Sequence, residues 1–258
     1  MSSEPKIHGL DPMYFDRRRS VEGALKWSGV SGDPRLVVDI GANVGQTLES
    51  FLSWWPSAYC ISIEPNLEVF HELEVVAKKN GERVQAINIG VGSSTSKLTL
   101  QVSKVDSKTA SFHKFNKNAE TVTVHRGLGG NKNPWELGDE DDKFITVEVI
   151  SLDNLIDSKL SAEANKMFPQ TGIDVMKIDT ESWELEILRG ASSALQKTKV
   201  ILLEYRFDDI YGQPPPLHEL DKILSDAGFR LWDISHIYKD LKSMRTIWVD
   251  LIYARPSH

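Results

Sequence analysis

Glycines and carboxylates in the first third of the sequence have a spacing that suits a nucleotide-type cofactor. Asp39 ends an apolar run and begins the pattern D-x-G-x-x-x-G, in which Gly41 and Gly45 permit a tight turn and the close approach of a ligand. Glu64 ends a second apolar run, 19 residues after Gly45. A carboxylate there can accept hydrogen bonds from two ribose hydroxyls. We therefore predict a cofactor site formed by Asp39, Gly41, Ala42, Asn43, Gly45, Glu64 and Asn88.

The glycine spacing distinguishes between two classes of cofactor. Dinucleotide sites of the Rossmann type have G-x-G-x-x-G, which this turn lacks. The pattern here is similar to that of enzymes that use S-adenosyl-L-methionine. Two alternatives stay open: an NAD-binding oxidoreductase, and a non-catalytic module that keeps the fold and binds a partner. Asn88 ends the third apolar run, where its neighbours would meet the adenine, and Val91 is an alternative at that place.

A second group of charged residues lies in the segment 174–184. Strand alternation places Lys177 and Asp179 on one face, and Glu181 follows at the carboxyl end of the same strand. Carboxylates at that edge can orient a substrate hydroxyl or accept its proton, and Lys177 can tune their pKa. We predict that Asp179, Glu181 and Lys177 are catalytic. The structural alternative is an ion-paired strand end, and Glu204 at the end of the next strand could also reach a substrate.

Histidines and metal ligands give weaker indications. His113, His125 and His236 titrate near neutrality, but their spacing selects none of them as a general base. No grouping has the spacing of a metal site, so we predict no metal, although Asp179 and Glu181 could bind a divalent ion.

The elements that position these residues begin with an α/β pattern. Residues 1–34 are predicted to form a helical lead-in. Apolar runs at 36–40, 59–63 and 84–89 then alternate with helical stripes. Strands that alternate with helices indicate parallel βαβ units.

The pattern changes in the middle of the domain and then returns. Period-two alternation predicts a β-rich insertion at residues 92–150, with a loop at 127–143. A strand at 173–178 and a helix at 183–195 resume the βα order. We expect one α/β domain over residues 35–258.

Composition limits the partners and the compartment. The 258 residues carry a formal net charge of -7, so broad attraction to nucleic acid is not expected. The one cysteine, Cys60, lies in an apolar run and predicts a buried residue in a reducing, cytoplasmic compartment. No apolar stretch approaches the length of a membrane span.

Four segments together resemble the FkbM-type methyltransferase family. They are VVDIGANVGQT, the strand-end IEP, VEVISLDNLI followed by DVMKIDTESWELEILRGA, and VILLEY. The resemblance covers residues 35–253. Its most specific part is Leu152-Asp153 followed about two dozen residues later by K-I-D-x-E-x-x-E.

The resemblance implies a class I methyltransferase, Rossmann-like, with a seven-stranded sheet whose last strand is antiparallel. It also implies an S-adenosyl-L-methionine cofactor and O-methylation of a hydroxyl on a small molecule such as a sugar, a glycolipid or a polyketide-like compound. The family usually has glycine where this chain has Ser182, and we expect that side chain to narrow the approach beside Asp179 and Glu181. Asp153 matches the family pattern, but its local sequence favours helix capping. The oligomeric state is left open.

Overall fold

The computed structural model describes residues 16–104, 109–116, 119, 142–212, 214–239 and 243–257. The strands of these residues are β1 (Leu36–Ile40), β2 (Tyr59–Ile63), β3 (Val84–Ile87), β4 (Gly90–Gly92), β5 (Ser96–Val102), β6 (Ala110–Ser111), β7 (Lys143–Ser151), β8 (Ile173–Ile178), β9 (Thr198–Arg206), β10 (Arg230–Lys239) and β11 (Thr246–Ala254). The helices are α1 (Arg17–Trp27), α2 (Gln46–Trp54), α3 (Leu67–Lys79), α4 (Leu152–Lys159), α5 (Ala162–Thr171), α6 (Glu184–Arg189), α7 (Ser192–Gln196) and α8 (Leu217–Asp226).

The main sheet has seven strands in the order β10-β11-β9-β8-β1-β2-β3. Strand β1 is central and pairs in parallel with β2 and β8, while β11 runs antiparallel to both β9 and β10. The seven-stranded mixed sheet agrees with the sequence-based expectation. Because parallel strands share one carboxyl edge, the residues that follow β1, β2 and β8 meet at that edge.

Burial on both faces explains why the first strands are nearly continuous apolar runs. All five residues of β1 are buried. Val38 packs in the core cluster on one face of the sheet, whereas Val37 belongs to the cluster on the other face. Cys60 of β2 is fully buried, as predicted. Asp39 is the polar exception in β1, and burying a carboxylate costs free energy unless it is paired.

Two helix starts agree with the local sequence. Asn66 caps α3 by accepting a hydrogen bond from the Glu68 backbone N–H. Helix α1 lies within the predicted lead-in and is capped by Asp16. None of the helices in the described part of the chain is long and apolar enough to span a bilayer.

The helix predicted over residues 183–195 is wrong, because α6 and α7 are separate helices. A Cβ on Gly190 would lie 2.0 Å from the Gly92 carbonyl oxygen, so β4 approaches the chain between the two helices. The Gly190 carbonyl accepts a hydrogen bond from the Asp153 N–H. This tertiary contact ends the first helix at a place where the apolar periodicity continues.

A second sheet of four strands, in the order β4-β7-β5-β6, lies between β3 and β8 in the chain. Strands β5 and β7 pair antiparallel, with Leu98 opposite Val147, as their alternation indicates. Ser111 of β6 contacts the residues that follow β8, so this sheet reaches the carboxyl edge of the main sheet. The middle of the predicted insertion, including nearly all of the predicted loop at 127–143, and His125 lie outside the described residues.

Candidate functional site

A cavity of about 850 Å³, part of it open to solvent, lies at the carboxyl edge of the main sheet. One wall is formed by residues 40–43 after β1 and another by residues 63–66 after β2. Residues 179–181 after β8 form a third wall, and residues 110–112 of the second sheet cover it. A concave site of this size at the strand ends is where open α/β sheets bind ligands.

The glycine bend after β1 is shaped by packing against the protein itself. Gly41 has φ +82°, and a Cβ there would lie 1.9 Å from the Asp179 carbonyl oxygen. Gly45 has φ +96°, and a Cβ there would lie 3.2 Å from Leu73 Cδ1. The two glycines are therefore placed differently with respect to the cavity. Gly41 lines the cavity, whereas Gly45 packs behind it against α3.

Glu64 faces the bend from the end of β2. Its carboxylate accepts backbone hydrogen bonds from Asn43 at 3.0 Å and Asn66 at 2.8 Å, and it lines the cavity with Ala42 and Asn43. Burial raises the pKa of Glu64 to about 7, although the two backbone N–H groups oppose that rise. Each carboxylate oxygen has a second lone pair, so Glu64 can still accept hydrogen bonds from a ligand.

Asn88 does not line the cavity, so its contact with a cofactor stays a prediction. Its side-chain amide donates to the carbonyl oxygens of Glu64 at 2.8 Å and Pro65 at 3.1 Å. These hydrogen bonds fix the strand end that carries Glu64. The cavity wall beside Asn88 is instead apolar and is formed by Ile89 and Val91.

Lys177 and Asp179 meet, as the strand alternation predicts, and Asp39 of the neighbouring strand lies beside them. Lys177 Nζ lies 3.0 Å from Asp179 Oδ2 and 3.5 Å from Asp39 Oδ1. Burial lowers the pKa of Lys177, but Asp179 and Asp39 raise it above its ordinary value, so the ammonium group stays charged. Asp39 is only 1% exposed and does not line the cavity, so its role in cofactor binding stays a prediction.

Glu181 lies in a strained turn between β8 and α6. Glu181 has φ +55° and Ser182 has φ +77°, so two consecutive side chains adopt the left-handed conformation. The Ser111 hydroxyl donates to the Glu181 carbonyl oxygen at 2.8 Å and holds the turn from the second sheet. Burial raises the pKa of the Glu181 carboxyl to about 7, and nearby Arg206 opposes that rise. The turn places Glu181 in the cavity wall.

Ser182 does not narrow the approach beside Asp179 and Glu181, which corrects that expectation. Its side chain is buried and lines a separate surface pocket with His113 and Trp183. Its effect is on the backbone, because a Cβ in the left-handed conformation costs roughly 1–2 kcal/mol. A glycine at this position would have no such cost.

Arg206 at the end of β9 is a residue that the sequence analysis missed. Its guanidinium forms two hydrogen bonds with Asp208, at 3.0 Å and 2.9 Å, and lies 5.2 Å from the centroid of the Tyr211 ring. Its Nη1 is 3.6 Å from Glu181 and 3.7 Å from Glu204. The signal was present in the sequence, since Glu204, Arg206 and Asp208 alternate along one face of a strand end.

Asp153 caps α7, whereas its local sequence indicates a cap for α4, the helix in which it lies. Its carboxylate accepts the backbone N–H groups of Ser193 and Ala194 in α7, at 2.9 Å and 2.8 Å. Ser151 caps α4 by accepting from the Asn154 N–H. Asp153 thus joins two elements about 40 residues apart and does not line the cavity.

The other charged candidates have structural partners. Glu184 Oε1 accepts hydrogen bonds from the backbone N–H and the hydroxyl of Thr180. His113 packs edge-on against Trp183, and His236 stacks on Trp248, so neither histidine lines the cavity. Within the described ranges, no group of three or more His, Cys, Asp and Glu side chains is placed to hold a metal ion.

The comparisons with known proteins give one strong match and several remote ones. A family model described as the methyltransferase FkbM domain matches residues 39–231. AMB antimetabolite synthetase AmbE of Pseudomonas aeruginosa is 24% identical over 182 residues, which are 66% of this chain and 8% of that protein. The chain therefore spans only a small part of the length of this relative.

Solved structures resemble the fold at low identity. The fibrillarin pre-rRNA processing protein of Methanococcus jannaschii has a TM-score of 0.45 and 10% identity, and the match covers 88% of this chain and 68% of that chain. A precorrin-6y C5,15-methyltransferase of Geobacter metallireducens has a TM-score of 0.43 and 13% identity, with 98% and 93% covered. Scores of this size carry no argument about function. Because the family model spans most of the sequence, including the glycine bend, Glu64 and the residues after β8, the chain belongs to the methyltransferase FkbM domain family.

Proposed function

We propose that this protein transfers a methyl group from S-adenosyl-L-methionine to a hydroxyl oxygen of a small-molecule acceptor, such as a sugar, a glycolipid or a polyketide-like compound. One observation carries the proposal. A single cavity brings Glu64 and the glycine bend together with Asp179 and Glu181. The first pair suits a nucleoside, and the second pair suits an acceptor hydroxyl.

The residues of the cavity fit the chemical groups of this cofactor. Glu64 is a buried acceptor at the end of β2, where ribose hydroxyls would bind. Ile89 and Val91 offer an apolar wall for the base, and the bend at Gly41 and Ala42 would hold the amino-acid part. The carboxylates after β8 would balance the positive charge of the sulfonium group.

The chain's own residues would then position the acceptor and accept its proton. The bound cofactor would supply an electrophilic methyl group. Lys177 fixes the Asp179 carboxylate through the 3.0 Å ion pair, so Asp179 can orient the acceptor hydroxyl. Glu181 has a pKa of about 7, which suits a general base that works near neutral pH. Leu100 of the second sheet and Phe112, which follows β6, line the cavity and would limit the access of water.

The negative charge of the site and the name of the relative both support this acceptor class. Asp179 and Glu181 place two carboxylates at the acceptor side, and an acidic site repels anionic acceptors. A neutral hydroxyl compound suits such a site. The Pseudomonas aeruginosa relative is named as an antimetabolite synthetase, and that name is in keeping with a small-molecule acceptor.

The proposal is tested by methyl transfer from a radiolabelled cofactor to separated lipid, glycan and small-molecule fractions. We expect label in an ether linkage to oxygen. Asp179→Asn should lower the rate about 100-fold or more while S-adenosylhomocysteine still binds. Asp157→Asn, on the exposed face of α4, is the matched control and should leave the rate unchanged. Label only on nitrogen or carbon, or equal rates for both variants, would contradict the proposal.

A further inference from the structure

Arg206 faces more negative charge than it can neutralise. The Arg206 residue is 5% exposed, and its Nε and Nη2 donate to the two oxygens of Asp208. Its Nη1 approaches both Glu181 Oε2 at 3.6 Å and Glu204 Oε1 at 3.7 Å. One guanidinium therefore faces three carboxylates in a buried setting, where unpaired charge is costly.

The other cations near the pair, within the described part of the chain, have closer carboxylate partners than Glu181 or Glu204. Lys177 pairs with Asp39 and Asp179, and Arg17 of α1 pairs with Asp250 of β11. The remaining groups that face the pair are acids: Glu184 of α6 and Tyr211, besides Asp179 and Asp250. Asp179, Glu184 and Asp250 raise the cost of a second negative charge beside Arg206, whereas the neutral Tyr211 hydroxyl favours the charged form of Glu181.

We propose that Glu181 and Glu204 hold one proton between them near neutral pH, with Arg206 as the cation that both carboxyls face. Glu204 does not line the cavity, so it is a positioning residue that acts through Glu181. The catalytic role of this shared proton rests on the proposed function. The protonation itself can be measured without any methyl transfer.

The partial burial of both carboxyls supports the shared proton, since the Glu181 and Glu204 side chains are 28% and 16% exposed. Burial, and then Asp179 and Glu181, hold the pKa of Glu204 well above its ordinary value. With Glu204 neutral, Glu181 keeps the single negative charge beside Arg206 and can accept the hydroxyl proton of the acceptor. The acceptor oxygen then forms the new C–O bond, the S–CH₃ bond breaks with its electron pair on sulfur, and the proton ends on Glu181. At higher pH a second charge appears, and the two carboxylates repel each other.

The experiment is carboxyl ¹³C NMR of the full chain labelled at glutamate, titrated with pH. We expect an upper titration step from the pair in the unmodified protein, separate from the step of Glu64, which Glu64→Gln identifies. Either Glu181→Gln or Glu204→Gln should remove that step and leave one midpoint that is lower by about one pH unit or more. Glu186→Gln, on the surface of α6, is the control and should leave the upper step unchanged. If the upper step survives unshifted in either variant of the pair, the shared proton is refuted.

The pH profile of methyl transfer tests the positioning role. We expect the unmodified enzyme to lose activity on the alkaline side, where the pair carries two charges. Glu204→Gln should keep activity at neutral pH, lose this alkaline decline and leave the KM for the cofactor unchanged. A uniform loss of activity at every pH would show that Glu204 has only a structural role. If the NMR steps behave as expected but no acceptor is methylated, the shared proton stands and the proposed function fails.

Discussion

Replacing Gly41 with alanine tests how tightly the ends of β1 and β8 are joined. Two costs apply to Gly41→Ala. The residue has φ +82°, a conformation that costs a side chain with a Cβ roughly 1–2 kcal/mol. The new Cβ would also lie 1.9 Å from the Asp179 carbonyl oxygen, so the backbone must shift. Overpacking of this kind costs about 1–3 kcal/mol. We expect a total loss of about 2–5 kcal/mol in the free energy of unfolding.

Gly32 provides a matched control for the backbone cost. It has φ +83°, nearly the same as Gly41, but no atom lies within 4 Å of its ideal Cβ position. Gly32→Ala should therefore lose only about 1–2 kcal/mol. Urea denaturation of both variants gives the difference between them. Calorimetry with S-adenosylhomocysteine should show weaker binding for Gly41→Ala only, because the shift moves the cavity wall. Equal losses of stability in the two variants would refute the reasoning.

Further predictions concern Glu64, Ser182 and Asp153. Glu64→Gln should weaken S-adenosylhomocysteine binding about tenfold or more, by calorimetry. Burial raises the pKa of Glu64 from 4.5 to about 7 in the folded state. The free energy of unfolding of the unmodified protein should therefore fall as pH rises across that range. Urea titrations should show a smaller fall for Glu64→Gln. Ser182→Gly should raise the free energy of unfolding by about 1 kcal/mol, whereas Ser182→Ala, which keeps the Cβ at φ +77°, should not. Asp153→Ala removes the cap of α7 and should cost about 1–2 kcal/mol without changing ligand binding, while Asp157→Ala on the surface should cost less than about 0.5 kcal/mol.

Local patterns in the sequence predicted those features of the site that depend on local geometry. Alternation along β8 placed Lys177 and Asp179 on one face, and their 3.0 Å ion pair agrees with it. The end of the second apolar run placed Glu64 beside the glycine bend, where it accepts the Asn43 N–H. In each case the residues that matter are close in sequence or lie at the ends of strands that pair.

Contacts between distant segments could not be predicted in the same way. The neighbour that requires a glycine at position 41 is the Asp179 carbonyl, which is 138 residues away. Asp153 caps α7 because β4 and Gly190 bring that helix close, and no local pattern records this. The buried guanidinium of Arg206 is another such contact, since its partners come from β9 and from the turn after β8. These contacts form only when the distant segments pack together, and a single sequence does not show which segments pack together.

The central claim is that the bend after β1 and Glu64 form a site for a sulfonium nucleoside. Calorimetric titration of the full chain with S-adenosylhomocysteine, and separately with NAD, tests this claim most directly. We expect saturable binding of S-adenosylhomocysteine that is weakened in Glu64→Gln, and no binding of NAD. Tight binding of NAD with no response to S-adenosylhomocysteine would contradict the account and favour a dinucleotide enzyme on the same sheet.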